Sequence, residues 1–480
     1  MSLGFESTQS VAIIGGGPGG YEAALAAAQL GAEVTLVERA GVGGSAVITD
    51  VVPSKTLIAT ADAAVAIAGA SDLGVQLFAK DGTGKPLKPE IAINLAAVNK
   101  RVLRLARQQS EDMREALVEA GVRILSGHGR LDGNRTVVVS TDAGGTDFDR
   151  VEADTIVVSV GAAPRELPSA QPDGERILTW TQLYDMTSLP EHLIVVGSGV
   201  TGAEFASAYM NLGAKVTLVS SRDQVLPGED ADAAAVLERV FLRGGMTLLS
   251  KSRADRVERT KDGVLVTLGD GRTVEGSHCL MAVGSIPNTR GIGLEDAGVQ
   301  LNESGHIRVN RVARTSVPNI YAAGDCTTFM PLASVASMQG RTAMFHALGD
   351  TVIPIERRRI AANIFTAPEV ATIGWQEKDI ESGLINGTVH KLPLAANARA
   401  KMMGITDGFV KIIARQESST VIGGVVVGPR ASELIYPIAI AVERRLSVDQ
   451  ASRVFTVFPS LSGSIQDALR AMHLVDAAAR

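Results

Sequence analysis

The sequence predicts an α/β protein in which one βαβ-built domain is inserted into another of the same plan, with an α+β domain following both. Three observations predict it. The stretch VAIIGGGPGGYEAALAAAQLGAEVTLVE at 11–38 aligns without a gap on LIVVGSGVTGAEFASAYMNLGAKVTLVS at 193–220. VEADTIVVSVGAAP at 151–164 is echoed by VEGSHCLMAVGSIP at 274–287. From about residue 353 onward, strand and helix patterns continue with neither signature.

Each half of the first repeat reads as an apolar strand, G-x-G-x-x-G, a helix, Leu-Gly-Ala and the strand Val-Thr-Leu-Val. A lone glycine fingerprint is weak in a chain with 50 glycines. Set between a buried parallel strand and a helix, within a closed βαβ unit, it predicts a Rossmann-like dinucleotide site. Gly15 and Gly197 make the tight turn, and Gly17 and Gly199 let a pyrophosphate approach the backbone. Gly20 and Gly202 let helix and strand pack closely, and the helix N-terminus meets the phosphate charge.

Before each member of the second echo lies an alternating segment, RTVVVSTD at 135–142 and GVLVTLGDG at 263–271, expected to form small antiparallel meanders. VPNIYAAGD at 317–325 supplies one more buried strand to the first domain, which resumes near residue 290. The stretch 94–120 reads as a packing helix with Leu95, Val98, Val102, Leu105 and Leu117 on one face. FTAPEVATIG, GFVKIIARQ and VIGGVVVGP read as strands leading into apolar helices around 432–445 and 461–477. This third domain is expected to bury surface against a second copy of the chain.

Composition narrows the function. A length of 480 residues suits about three domains, and 45% hydrophobic with 20% charged residues is ordinary for a globular protein. A net charge of −6 argues against nucleic acid, which needs clustered Lys and Arg. The apolar core strand begins by Val11, which leaves no room for a secretory signal, and no apolar run approaches a membrane span. Two cysteines, Cys279 and Cys326, make no disulfide framework, and the seven histidines show no metal-ligand spacing. The expectation is a cytoplasmic protein without a metal site.

Taken together, both fingerprints, VGAAP, AAGD and FTAPE-x(4)-G resemble the flavoprotein disulfide reductase family, lipoamide dehydrogenase-like members included, over nearly the whole chain. The resemblance implies an FAD domain (1–165 and 290–352), an inserted NAD(P)H domain (166–289) and a C-terminal dimerisation domain (353–480) of a homodimer. It implies that Gly15, Gly17, Pro18, Gly20 and Glu38 hold the ADP half of FAD, with Glu38 on the ribose. It adds Gly44, Ser45, Gly129 and Gly161 to that site, Asp325 at the ribityl–phosphate region, and Leu332 and Ala333 beside the flavin. The donor site takes Gly197, Gly199, Val200, Gly202, Ser220, Arg222 and Gly284. Lys55, from Pro-Ser-Lys, is implied to pair with Glu204 close to the flavin N5 as the catalytic pair.

Two departures redirect the chemistry. The family's loop G-G-T-C-x(4)-C-x-P-S-K reads GGSAVITDVVPSK here, so Ala46 and Val51 stand at both cysteine positions. The family's acid–base motif H-x-H-P-T-x-x-E reads TVFPSLSG at 456–463, with Phe458 at the histidine and Gly463 at the glutamate. The cysteines would relay electrons to a disulfide, and the His–Glu pair would move the protons of thiol exchange. Losing both while keeping both nucleotide loops predicts a different acceptor and an apolar pocket in place of the relay. A quinone, reduced directly by the flavin, suits this best. The alternatives are a soluble pyridine nucleotide transhydrogenase and a flavin-holding sensor without turnover. The donor is expected to be NADPH, with NADH as the weaker alternative. Where the first repeat ends in Glu38 the second ends in Ser220, which removes the repulsion a 2′-phosphate would feel, and Arg222 can pair with that phosphate.

Overall fold

The computed structural model describes residues 9–78, 86–87, 91–142 and 144–478. Two compact units emerge. One comprises Met1–Ser54, Lys100–Arg165 and Gly284–Glu356, the other Lys55–Asn99, Glu166–Val283 and Arg357–Arg480.

The first unit begins with strand β1 (Ser10–Ile14), helix α1 (Pro18–Gln29) and strand β2 (Glu33–Glu38). β1 and β2 pair in parallel, from Ser10 with Glu33 to Ile14 with Val37. Thr155–Val158 and then Ile320–Ala322 extend the sheet beyond β1, and Arg123–Ser126 extends it beyond β2. All these pairings are parallel, and the central strands Ser10–Ile14 and Thr155–Val158 read as nearly continuous apolar runs because a parallel sheet is covered on both faces. Helix Ala333–Ala347 lies tight on α1, because a Cβ on Gly340 would come within 2.0 Å of Gly19 O. The expected meander is the antiparallel trio His128–Asp132, Thr136–Ser140 and Asp147–Glu152. Ala162–Pro164 pairs antiparallel with Ser285–Pro287, so the chain leaves this unit for Glu166–Val283 and returns from it side by side.

After β2 the chain enters two helices, α2 (Gly44–Ile48) and α3 (Val51–Ala68). By length and composition alone the run Gly44–Ala68 could cross a membrane, which corrects the expectation that no apolar run comes near that length. Its apolarity is mostly alanine and valine. Leu57 and Ala61 are buried, and the run carries Lys55 and Asp62.

The second unit repeats the plan with β3 (His192–Val196), α4 (Val200–Asn211), β4 (Lys215–Val219), α5 (Ala231–Arg243) and β5 (Thr247–Leu249). Its parallel sheet runs Ile177–Leu178, His278–Met281, β3, β4, β5. A second meander, Ala254–Arg259, Val264–Leu268 and Thr273–Gly276, stands where the first copy has its own. The same unit holds the five-stranded antiparallel sheet of the C-terminal region, in the order Ala361–Ile364, Glu369–Gly374, Val421–Gly428, Phe409–Arg415, Gly387–Pro393. Helices Ala431–Glu443 and Gly463–Ala478 cover it, and Ile435, Ile438, Ile465 and Leu469 pack on Val410, Ile412 and Val426. The packing helix expected at 94–120 is Leu95–Glu119, with Leu95, Val102 and Leu117 buried.

Candidate functional site: two glycine loops and a buried ion pair

The first loop is a cradle that only glycines permit. Gly15 leaves β1 in the left-handed region (φ +97°), and a Cβ there would lie 2.3 Å from Ser159 O. A Cβ on Gly20 would meet Gly15 O at 1.9 Å, so α1 rests directly on the turn. Above Gly17 nothing of the protein lies within 4 Å of that position. Pro18 opens α1, whose first turn contains no acidic residue. Its free N–H groups and dipole are therefore left for an anion.

The neighbouring chain closes on this loop. Gly43 N donates to Gly16 O at 2.7 Å, and a Cβ on Gly44 would come 2.9 Å from Gly17 Cα; exposed Ser45 follows in α2. Glu38 sits at the end of β2, its Oε2 accepting from Gly16 N at 2.6 Å and its Oε1 from Ala40 N at 2.7 Å. Gly161 also faces open space. Asp325 is half-buried, and burial raises its carboxyl pKa above the usual carboxylate range. Leu332 caps helix Ala333–Ala347 in an extended conformation, presenting Ala333 and the helix N-terminus. Gly129 has a packing explanation: a Cβ there would meet Ile14 and Val37 at 2.9 and 3.2 Å.

The second loop repeats these contacts. Gly197 is left-handed (φ +112°), with Ala282 O 2.2 Å from where a Cβ would stand; Gly202 would meet Gly197 O at 1.8 Å. The positions above Gly199 and Gly284 are open, and Gly284 falls in the first compact unit. Val200 opens α4, again with no acid in its first turn. At the end of β4 the pattern changes. Ser220 is buried, and its Oγ meets Ser198 Oγ at 2.7 Å and accepts from Arg222 N at 3.1 Å. Its hydroxyl is thus committed within the protein, and the position carries no carboxylate. Arg222 stands exposed two residues on.

Lys55 and Glu204 form an ion pair of 2.8 Å. Glu204 is almost fully buried on α4, and its other oxygen accepts from Phe365 N at 2.8 Å. Lys55 Nζ also lies 4.8 Å from the Phe365 ring centroid. Ala367 N donates to Ser207 Oγ at 3.1 Å, so the Phe-Thr-Ala-Pro run is tied to α4 twice. A buried carboxylate costs several kcal/mol unless paired and hydrogen-bonded, and here both oxygens are engaged.

Both cysteines are fully buried. Burial pushes the Cys326 thiol up to about 12 and raises that of Cys279 as well, so neither is a thiolate at neutral pH. Within its own unit Phe458 is 86% exposed, with Phe455 and Val457 beside it. Gly463 begins a helix, and its N–H donates to Ser460 Oγ at 3.1 Å. His473 pairs with Asp449 at the surface. Among the described residues no group of three His, Cys, Asp or Glu is placed to hold a metal.

Sequence reasoning missed Ser198, Phe365 and the surroundings of Lys411. Lys411 is 1% exposed, ringed by Asp230 and Asp232 at 2.8 Å and by Glu377. Its place within the apolar run of Phe409–Arg415 was the available signal, but only the fold reveals the three carboxylates.

Comparison with known proteins gives consistent matches. Residues 9–340 match the pyridine nucleotide-disulphide oxidoreductase family and residues 360–469 its dimerisation domain. An NAD(P)H dehydrogenase (quinone) of Mycobacterium tuberculosis is 51% identical over 96% of this chain and 93% of its own. A dihydrolipoyl dehydrogenase of Zymomonas mobilis is 32% identical over 96% and 97%. Among solved structures, LpdA from Mycobacterium tuberculosis superposes with a TM-score of 0.90 at 50% identity, covering 97% of this chain and 99% of the other.

Proposed function

Because this chain belongs to the pyridine nucleotide-disulphide oxidoreductase family, an FAD- and NAD(P)H-using group of oxidoreductases, we propose that it oxidises NADPH and reduces a quinone directly, without a protein thiol. The observation that carries this reading is two complete nucleotide cradles in a chain whose only two cysteines are buried. The name of the 51%-identical relative supports the same acceptor class.

The residues fit the groups this requires. The open space over Gly17, the acid-free start of α1 and the Glu38 carboxylate suit the ADP half of FAD. The corresponding space over Gly199 suits the donor's pyrophosphate. FAD, when bound, supplies the two-electron chemistry that links nicotinamide to quinone. The protein's own part is to bind, orient and stabilise charge. Glu204 holds the Lys55 ammonium in one place, and that fixed positive charge is what this chain would offer a reduced, anionic flavin. Lys55→Met is accordingly expected to slow flavin reduction. Ser220 and Arg222 favour the 2′-phosphate of NADPH by on the order of tenfold, about 1.4 kcal/mol. We assign the FAD domain to 1–165 and 290–352, the donor domain to 166–289, and the interface domain to 353–480 of a homodimer in the cytoplasm.

The test is an anaerobic acceptor panel with either donor. A water-soluble benzoquinone is expected to reoxidise the flavin in wild type and in the Cys279→Ser/Cys326→Ser variant, while lipoamide and glutathione disulfide do not. Robust reduction of either disulfide, or loss of quinone turnover in the cysteine-free variant, overturns the proposal. Including thionicotinamide nucleotides separates quinone reduction from transhydrogenation.

A further inference from the structure

The carboxyl ends of β4 and β5 are stitched together beyond their last paired residues. Ser220 N donates to Leu249 O at 2.8 Å, Lys251 N to Arg222 O at 2.9 Å, and Ser252 N to Ser220 O at 2.7 Å. These bonds set Lys251 beside Arg222 at the ends of adjacent parallel strands, where open α/β sheets receive their ligands.

Lys251 is unusual there. Its backbone is left-handed (φ +53°), a conformation that glycine or asparagine adopts with less strain. Its side chain is 73% exposed, and its carboxylate contact is Asp223 at 3.7 Å, itself 81% exposed. Of the other cations nearby, Arg272 is committed: it binds Asp270 and donates to Ser252 Oγ at 2.8 Å. Arg253 is exposed, 3.9 Å from Asp255, but it lies one residue beyond Ser252 and outside the bonds that set Lys251 beside Arg222. A strained backbone position that carries an ammonium into solvent, beside a second exposed cation, is the kind of outlier from which a binding role can be inferred. A phosphate monoester carries a charge of about −1.5 to −2 near neutrality, more than Arg222 alone balances.

We propose that Lys251 is a specificity-determining residue, the second cation of a 2′-phosphate clamp whose first member is Arg222. Donor selection is then divided between two strand ends. The inference rests on the NADPH reading above.

Isothermal titration of the full-length flavoprotein with 2′,5′-ADP and with 5′-ADP tests it without turnover. Lys251→Asn removes the charge and keeps a residue suited to the left-handed backbone; Lys251→Gly is the second variant. Both are expected to weaken 2′,5′-ADP binding by roughly threefold to tenfold, with 5′-ADP affinity and bound flavin unchanged and the loss shrinking at high salt. A preference for 2′,5′-ADP that is undiminished in Lys251→Asn overturns the role of Lys251 and leaves the NADPH reading standing. Loss in Lys251→Gly alone likewise assigns the effect to backbone and overturns the charge role. Equal wild-type binding of both ligands defeats the NADPH reading itself, and this inference with it.

Discussion

The two glycine loops are the same backbone built twice, and their polar contacts part company at residues 16 and 38 of the first and 198 and 220 of the second. In the first, Glu38 reaches across to Gly16 N. In the second, Ser220 meets Ser198 hydroxyl to hydroxyl. A Cβ on Gly16 would stand 3.2 Å from Glu38 Oε2, so the first loop accommodates its carboxylate because nothing projects from residue 16. The second loop places a hydroxymethyl group at that position and carries no carboxylate at the strand end. If the strand end bears on nucleotide selection as proposed, residue 198 bears on it too, and a single substitution at the strand end tests only part of the arrangement.

The largest effect is expected where the loops agree. A Cβ on Gly17 or Gly199 touches no protein atom, so alanine at either site should leave the fold intact and clash only with ligand. Gly17→Ala should purify with little flavin. Gly199→Ala should keep its flavin and its melting temperature, yet bind the nicotinamide donor about a hundredfold more weakly, roughly 2.7 kcal/mol by titration. Unchanged donor affinity in Gly199→Ala would mean that the nucleotide does not cross this loop.

Exchanging the pair that differs should come next in size. Ser220→Glu alone introduces a carboxylate against Ser198 in a buried site. Ser198→Gly/Ser220→Glu rebuilds the first loop's arrangement, and should move the ratio of NADPH to NADH affinity by about tenfold or more toward NADH. The single variant should move it less. If the single and double variants behave alike, the two positions are independent and the comparison fails.

Two smaller effects follow from protonation. The buried thiols titrate higher in the folded chain than in the unfolded one, where cysteine ionises near 8.5. Unfolding then releases protons above that value, so stability should fall as pH rises past about 8.5, by up to about 1.4 kcal/mol per pH unit per thiol. Denaturation midpoints of Cys279→Ala and Cys326→Ala between pH 8 and 10 should show a shallower fall than wild type. The smallest effect separates the copies again. His278 stands in the second where Thr155 stands in the first. Burial, then Arg176, lower its pKa to about 4. The folded state thus favours the neutral ring, and stability contributed by His278 should be lost as pH drops from about 6.5 toward 4. His278→Thr should raise the melting temperature at pH 5 by about 1–2 °C and leave it unchanged at pH 8.

Glycine geometry was legible in the sequence because steric exclusion has a residue-type signature: only glycine tolerates Ser159 O or Ala282 O at those distances. The buried parallel strands were legible for a similar reason, through their unbroken apolar runs. Three features were not. The bond from Phe365 N to Glu204 uses a backbone donor that every residue but proline owns. The contact between Ser198 and Ser220 joins small polar residues that suit many environments. Lys411 lies in GFVKIIARQ, where a lysine is ordinarily read as reaching solvent. Asp230 and Asp232, about 180 residues earlier, and Glu377 reverse that by enclosing it. Long-range electrostatic closure leaves no local pattern to read.

Glu204 ties together three stretches of chain that are far apart in sequence, one oxygen on Lys55 and the other on the backbone of Phe365. This bears on how the protein can be recombined. A chimaera that imports a C-terminal region from a relative must bring a segment whose backbone N–H still falls on Glu204. Without it a buried carboxylate keeps only one of its partners, and Lys55 loses its fixed position along with it. Crossover points between 204 and 365 should therefore be judged by whether the graft keeps this bond, ahead of overall likeness.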